Sequence, residues 1–210
     1  IRALTGIECD RLQEEKERGI TIVLGYAHMM LPSGIKVGIV DVPGHEKFVS
    51  RMVAGAAGID IVAFLIACDE GIKPQTIEHL HICEILGIKK GIIVLSKKDL
   101  ADDELILLQK EEIQKMIAGT FLEDAPMIPV SALTGVGLNE FIVILDRMVA
   151  AIETKSQDKP FRMPVDASVT ITGFGTIARG TVLSGHIAAG EEVVLLPGMK
   201  KDRIRGLQNH

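Results

Sequence analysis

Tryptophan is absent, tyrosine occurs once and phenylalanine six times, so aromatics are only 3% of the 210 residues. That scarcity argues against a base-stacking platform for single-stranded nucleic acid. A basic surplus is also missing. Lys and Arg number 23 against 28 Asp and Glu, a net charge of −5, which leaves only local patches for nucleic-acid contact. The three cysteines, Cys9, Cys68 and Cys83, are odd in number and lack metal-ligand spacing. Cys68 and Cys83 sit in apolar runs and read as small core residues, as in a reducing cytoplasm. No apolar run reaches transmembrane length and no stretch has signal-peptide pattern, so the expectation is a cytoplasmic chain without membrane contact. The first residue is Ile, and Ile1-Arg2-Ala3-Leu4 reads as the middle of a helix, so a fragment is expected.

What is present is a 47% apolar chain, enough for one or two packed domains. Residues 1–6 read as a helix end closed by Gly6. Residues 7–18 are mostly charged or polar and lead into Gly19-Ile20-Thr21-Ile22. A strand is expected over 20–31, a turn at Pro32-Ser33-Gly34, and an antiparallel return strand over 36–41. A helix then follows at 46–56.

From there apolar strands alternate with helices. Strands are expected at 61–67, 91–96 and 127–130, with helices at 74–86, 102–117 and 138–152. Strands apolar on both faces imply a mostly parallel sheet covered by helices on both sides. After residue 152 the texture changes. Residues 153–160 read as a polar linker. Strand-like runs at 163–171, 177–183 and 192–196, separated by Gly173-Phe174-Gly175, Gly185 and Pro197-Gly198, suggest a partial antiparallel β-barrel over 161–210. The basic tail 200–205 reads either as a solvated β-turn or as an RNA phosphate contact.

The chemistry gathers at strand ends. Asp41-Val42-Pro43-Gly44-His45 follows an apolar strand and precedes a helix, the way open α/β sheets place ligands. There Asp41 can reach a metal ion, Gly44 offers an unobstructed N–H to a phosphate, and His45 can orient a water or hold a proton. A plain strand–turn–helix junction is the competing reading. Ser96-Lys97-Lys98-Asp99 ends another strand. A carboxylate there can accept from a purine bearing N1–H and a 2-amino group, as guanine does and adenine does not. The Lys97 stem can lie along the ring. The competing reading of Asp99 is a carboxylate at a helix N-terminus. Ser131-Ala132-Leu133 follows the next strand, where its backbone N–H groups suit the base O6. Thr21 can offer a hydroxyl to Mg²⁺, a cation that prefers oxygen. His79 and His81, two apart on one helix, are not a metal pair and read as surface or packing residues.

In this order these pieces resemble a translational GTPase, and among these the selenocysteine-specific elongation factors. The carrying residues run from Ala3-Leu4-Thr5-Gly6 and Asp10-Arg11-Leu12 through Glu14–Ile22 and Asp41–Glu46. They continue with Asp69-Glu70-Gly71, Pro74-Gln75-Thr76, Glu78-His79-Leu80 and Gly173-Phe174-Gly175-Thr176. The resemblance implies a phosphate-loop NTPase-type α/β nucleotide domain over 1–152 followed by the start of a β-barrel domain. It implies GTP and Mg²⁺ as cofactors, with Thr21 and Asp41 at the metal, Gly44 sensing the γ-phosphate and His45 positioning water. It implies nucleotide contacts from Ser96, Lys97, Asp99, Ser131, Ala132 and Leu133, and an aminoacyl pocket at Asp166. The implied partners are selenocysteinyl-tRNA and the ribosome, with an mRNA hairpin reached only through C-terminal domains outside these residues.

Three departures stand out. No Gly-x-x-x-x-Gly-Lys-Ser/Thr occurs in the 210 residues, so the phosphate loop and the strand before it are missing and GTP turnover is not expected of this chain alone. The strands at 37–41 and 61–67 would then either pair directly or leave a gap for another chain. Ser96 stands where Asn or Thr is usual, and Asp166-Ala167 stands where Asp-Arg is typical. Two other readings therefore remain: a non-catalytic RNA- or ribosome-binding module, and another translational GTPase of the elongation factor Tu or initiation factor two gamma type.

Overall fold

The computed structural model describes residues 1–9, 13–14, 21–44, 58–152, 158–173 and 175–208. The chain divides into two compact units, Ile1–Ile152 and Glu153–His210.

The first unit opens with a single helical turn, α1 (Arg2–Thr5), closed by Gly6 in the left-handed region with its N–H donating to the Arg2 carbonyl. Strands β1 (Gly25–Met30) and β2 (Lys36–Asp41) form an antiparallel hairpin in the register Gly25 to Asp41 and Met30 to Lys36. β2 has the expected bounds. β1 is shorter than the strand expected from residue 20. The reason lies opposite it: beyond Asp41 comes Pro43, which has no N–H to extend the ladder.

β3 (Val62–Ala67), β4 (Gly91–Ser96) and β5 (Met127–Pro129) pair in parallel, in the order β3-β4-β5. α2 (Pro74–Ile85) links β3 to β4, and α3 (Asp103–Ile117) links β4 to β5. α4 (Leu138–Ala150) follows β5. Alternation along β4 divides the core. Ile93 and Leu95 join Phe64, Ile66, Leu80, Ile106 and Ile113 on one face. Ile92 and Val94 join Ile128, Val130 and Phe141 on the other, with Leu4 of α1 packed against them. Both faces of β4 are thus covered, as its unbroken apolar sequence requires. The hairpin and the parallel sheet are separate sheets: among the described residues β2 pairs with β1 and β3 with β4, and β2 and β3 do not pair with each other. The helix expected at 46–56, and most of the charged stretch before Thr21, lie outside the described residues.

In the second unit β6 (Val165–Ile171) and β7 (Gly175–Gly180) form one antiparallel pair, with a register shift between Val165 and Ala167. β8 (Glu192–Leu195) and β9 (Lys200–Arg203) form another. Two expectations are corrected here. The strand read at 177–183 stops at Gly180, and the remaining backbone turns to Arg162, whose N–H donates to the Ser184 carbonyl while its own carbonyl accepts from Leu183. The basic tail is not simply a solvated turn, since Lys200–Arg203 is a strand. Its residues are exposed on both sides, so no apolar alternation marks it in the sequence.

Candidate functional site

The carboxyl edge of the parallel sheet is knitted by backbone bonds between neighbouring strands. The Cys68 N–H donates to the Ser96 carbonyl at 2.8 Å and the Lys98 N–H to the Val130 carbonyl at 3.1 Å. Ser96, the last residue of β4, directs its hydroxyl to the Ile66 carbonyl at 3.4 Å. Lys97 then takes a left-handed backbone (φ 57°), which swings the chain into a short 3₁₀ turn at Lys98–Leu100.

Asp99 lies in that turn, and the hydroxyl of Ser131 donates to its carboxylate. Ser131 is fully buried, and its Oγ also accepts the Thr134 N–H at 3.1 Å. Asp99 stands in the first turn of that short 3₁₀ helix, as the competing reading had it, but it does not cap α3. The cap of α3 is Asp102, whose side chain accepts the Leu105 N–H at 2.8 Å. Asp99 keeps lone pairs for further donors, because each carboxylate oxygen accepts more than one hydrogen bond.

One expectation at this edge changes. The Ser131 N–H donates to the Val136 carbonyl at 2.9 Å, so it does not serve a base. Ala132 and Leu133, both exposed, are left to offer theirs.

Lys97 brings in residues to which the sequence reading gave no role. Its ammonium donates to Asp69 Oδ2 and to Glu70 Oε1, each at 2.9 Å, in the loop after β3. Glu70 also pairs with Lys73, just ahead of α2. Hydrogen bonds from Lys73 and Lys97 pull the Glu70 carboxyl down to about 2, and the bonds to Asp69 and Glu70 push the Lys97 ammonium up. Behind this loop lies Gln109 of α3, which is buried and has no partner for its Oε1 among the described residues. Its amide crowds Gly71, where an added Cβ would meet Nε2 at 2.8 Å.

The second cluster sits at the end of the hairpin. Asp41 is half-buried opposite Gly25, a position with no room for a side chain: a Cβ there would stand 2.6 Å from Cys9 Cβ and 3.0 Å from Asp41 Cβ. Pro43 is buried and Gly44 exposed. His79 of α2 comes against Gly44, and its Cε1 would be 3.8 Å from a Cβ placed there. Burial holds the His79 imidazole below its ordinary pKa, against an upward pull from Glu78 and from a hydrogen bond with the Gly44 backbone. His79 thus packs against the turn, within the surface-or-packing reading of it. Thr21 is half-buried, four residues before β1 rather than inside a strand. His45 lies outside the described residues, as does the side chain of Asp166 in β6.

The structure therefore sorts the expected residues into two groups rather than one sheet edge. Ser96, Lys97, Asp99 and Ser131 come together on the parallel sheet. Thr21, Asp41 and Gly44 belong to the hairpin and its flanks. α2 connects the groups: Lys73 adjoins its start and His79 lies six residues further, roughly 9 Å along a helix axis.

A family model described as the elongation factor Tu GTP binding domain matches residues 2–151. The chain is similar to the selenocysteine-specific elongation factor of Desulfomicrobium baculatum, at 49% identity over 210 residues, covering 100% of this chain and 33% of that protein. It is 35% identical over 208 residues to the selenocysteine-specific elongation factor of Escherichia coli (strain K12), covering 99% of this chain and 33% of that protein. The crystal structure of bacterial selenocysteine-specific elongation factor EF-Sec superposes with a TM-score of 0.91 at 38% identity, covering 100% of this chain and 36% of that one. The chain spans about a third of the length of the curated relatives it matches.

Proposed function

The chain belongs to the family of the elongation factor Tu GTP binding domain, and from that membership we propose that it is the nucleotide unit and following β-unit of a GTP-dependent factor that delivers selenocysteinyl-tRNA to the ribosome. The observation that carries this reading is the Asp99 carboxylate held by the buried Ser131 hydroxyl, two residues after Lys97. A fixed carboxylate suits the paired N1–H and 2-amino donors of guanine. It leaves adenine, which lacks both donors, without a partner. The identity to the Desulfomicrobium baculatum factor, extending over both units, supports the finer assignment to selenocysteine delivery. A translation factor of this kind works in the cytoplasm, and among the described residues no helix is long and apolar enough to cross a membrane.

Around the phosphates the assignments follow from donor chemistry. Thr21 and Asp41 supply a hydroxyl and a carboxylate, the hard oxygen donors that Mg²⁺ prefers, so the residues fit that ion. Bound there, Mg²⁺ would neutralise phosphate charge. Gly44 offers its N–H to a γ-phosphate oxygen, and His45 orients the attacking water. When the terminal phosphate leaves, both loops lose a partner, which is how such switches release what they hold. In the second unit Asp166 is assigned to the aminoacyl pocket. Ala167 beside it supplies no cation for a selenolate, and Arg179, opposite Ala167 in the β6–β7 register, is the nearest replacement on the ladder. The mRNA hairpin is assigned to domains outside these residues.

The 210 residues contain no Gly-x-x-x-x-Gly-Lys-Ser/Thr, so a polypeptide of these residues alone is expected to hold GTP weakly and not to turn it over. Micromolar affinity for GTP by calorimetry would overturn that expectation. The base reading is tested separately with nucleosides. Guanosine at millimolar concentration should shift the amide resonances of Lys97, Asp99 and Ser131, and adenosine should not. Equal response to the two would reject it.

A further inference from the structure

We propose that Asp69 and Glu70 are positioning residues for the base: by holding the Lys97 ammonium they fix its methylene stem as a wall beside Asp99. This inference rests on the guanine reading above and deepens it.

The geometry is specific. Lys97 is one of only two non-glycine residues with positive φ among those described. Such a backbone persists when its surroundings over-determine it. Here the flanking backbone is tied on both sides, from Cys68 to Ser96 and from Lys98 to Val130. The side chain is tied as well, with two of its three ammonium donors spent on Asp69 and Glu70. A lysine stem anchored at both ends has a defined course, whereas a free one samples many rotamers that a ligand must then freeze out.

The carboxylates are themselves held. Glu70 is shared with Lys73, so the chain Lys73–Glu70–Lys97–Asp69 alternates in sign and carries no net charge. An uncompensated pair of carboxylates would repel a phosphorylated ligand, but this ladder does not add a net negative charge. The loop is backed from beneath by Gln109, whose buried amide fills the space beside Gly71. Gln109 belongs to α3, the helix that starts four residues after Asp99. The height of the Asp69–Glu70 loop is thus set by the same helix that follows the base-reading carboxylate.

A neutral nucleoside separates positioning from simple charge repulsion, because guanosine carries no phosphate for the carboxylates to repel. Titrations of guanosine and adenosine would be run on the chain itself, on D69N/E70Q and on the carboxylate swap D69E/E70D. Positioning predicts that D69N/E70Q binds guanosine about three- to tenfold more weakly, that D69E/E70D recovers most of the loss, and that the urea midpoint of D69N/E70Q stays where it was, since the ladder is solvent-exposed. It also predicts that 1 M salt narrows the gap between the original chain and D69N/E70Q by screening the ladder. E70Q alone should show a smaller loss in the same direction and serves if the double variant does not fold. Unchanged guanosine affinity in D69N/E70Q would reduce the ladder to a surface ion network and overturn the inference while leaving the guanine reading intact. If the original chain does not prefer guanosine over adenosine, the guanine reading fails, and the inference with it.

Discussion

The two ends of this site are built differently. The edge proposed to read the base is side chain locked to side chain on a buried sheet: Ser131 to Asp99, Lys97 to Asp69 and Glu70, with Leu95 and Ile93 fully buried beneath. The Asp41–Gly44 turn ends a two-stranded hairpin, and Gly44 is exposed, with the His79 imidazole against it. The contrast separates two tasks. Choosing a base needs groups held at fixed distances before the ligand arrives, and buried, cross-bonded side chains do that. The phosphate sensing proposed for Gly44 needs a segment whose position depends on the ligand, and this exposed glycine is held by His79 rather than by a sheet.

Changes at this locked edge should therefore be costly, and changes at the turn mild. The largest effect is expected from Asp99→Asn. It replaces an acceptor of two donors with a group that opposes one of them, and guanosine binding should fall by about a hundredfold or more, read by nucleoside titration. Leu95→Ala comes next. It opens a cavity under Ser96 and should cost about 3 kcal/mol of unfolding free energy by urea denaturation. Ser131→Ala removes the hydroxyl that donates to Asp99 and accepts from Thr134. A loss of about 1.5 kcal/mol is expected, together with weaker guanosine binding. At the turn, Gly44→Ala meets only the His79 ring, at ordinary contact distance, and should change stability by less than about 0.5 kcal/mol. A large loss there would erase the distinction between a locked edge and a lightly held turn.

Acid should separate the regions too. Glu70 has a folded pKa lowered from 4.5 to about 2, so its contribution is present above 4.5 and disappears as pH falls through about 2, but solvent screening of this exposed ladder keeps it small, in line with an unchanged urea midpoint for D69N/E70Q. His79 has a folded pKa lowered from 6.5 by burial. In the window below 6.5 the unfolded chain therefore binds the proton first, and stability falls as pH drops through that window. Comparing urea midpoints of the chain and of His79→Gln between pH 7.5 and 5 should show the variant losing less. Identical profiles would place His79 outside the energetics of the turn.

Much of this was legible in the residues. β2 and β4 have the bounds their apolar runs imply, and Ser96, Lys97, Asp99 and Ser131 meet because each stands at or just beyond the end of a parallel strand. The parallel register then sets those ends side by side. The pairing of Lys97 was not legible: Asp69-Glu70-Gly71 stands out as a motif of the resemblance, but Asp69 and Glu70 lie 28 and 27 positions from Lys97 and nothing local ties them to it. The Ser131 N–H was misread for a similar reason: its use by Val136 depends on a turn closed five residues later.

By itself the sequence determined the alternating strands and helices of the first unit and which chemical groups stand at the strand ends, though not the bounds of β1 or the strand at Lys200–Arg203. Those follow from local periodicity and chain order, and they need no knowledge of what lies across a gap. Tertiary structure alone decided which carboxylate holds Lys97, which hydroxyl holds Asp99, and that His79 rests against Gly44. Each of those contacts joins residues that follow different strands or lie on a neighbouring helix, at distances of a few ångströms that only the packed sheet and its covering helices impose.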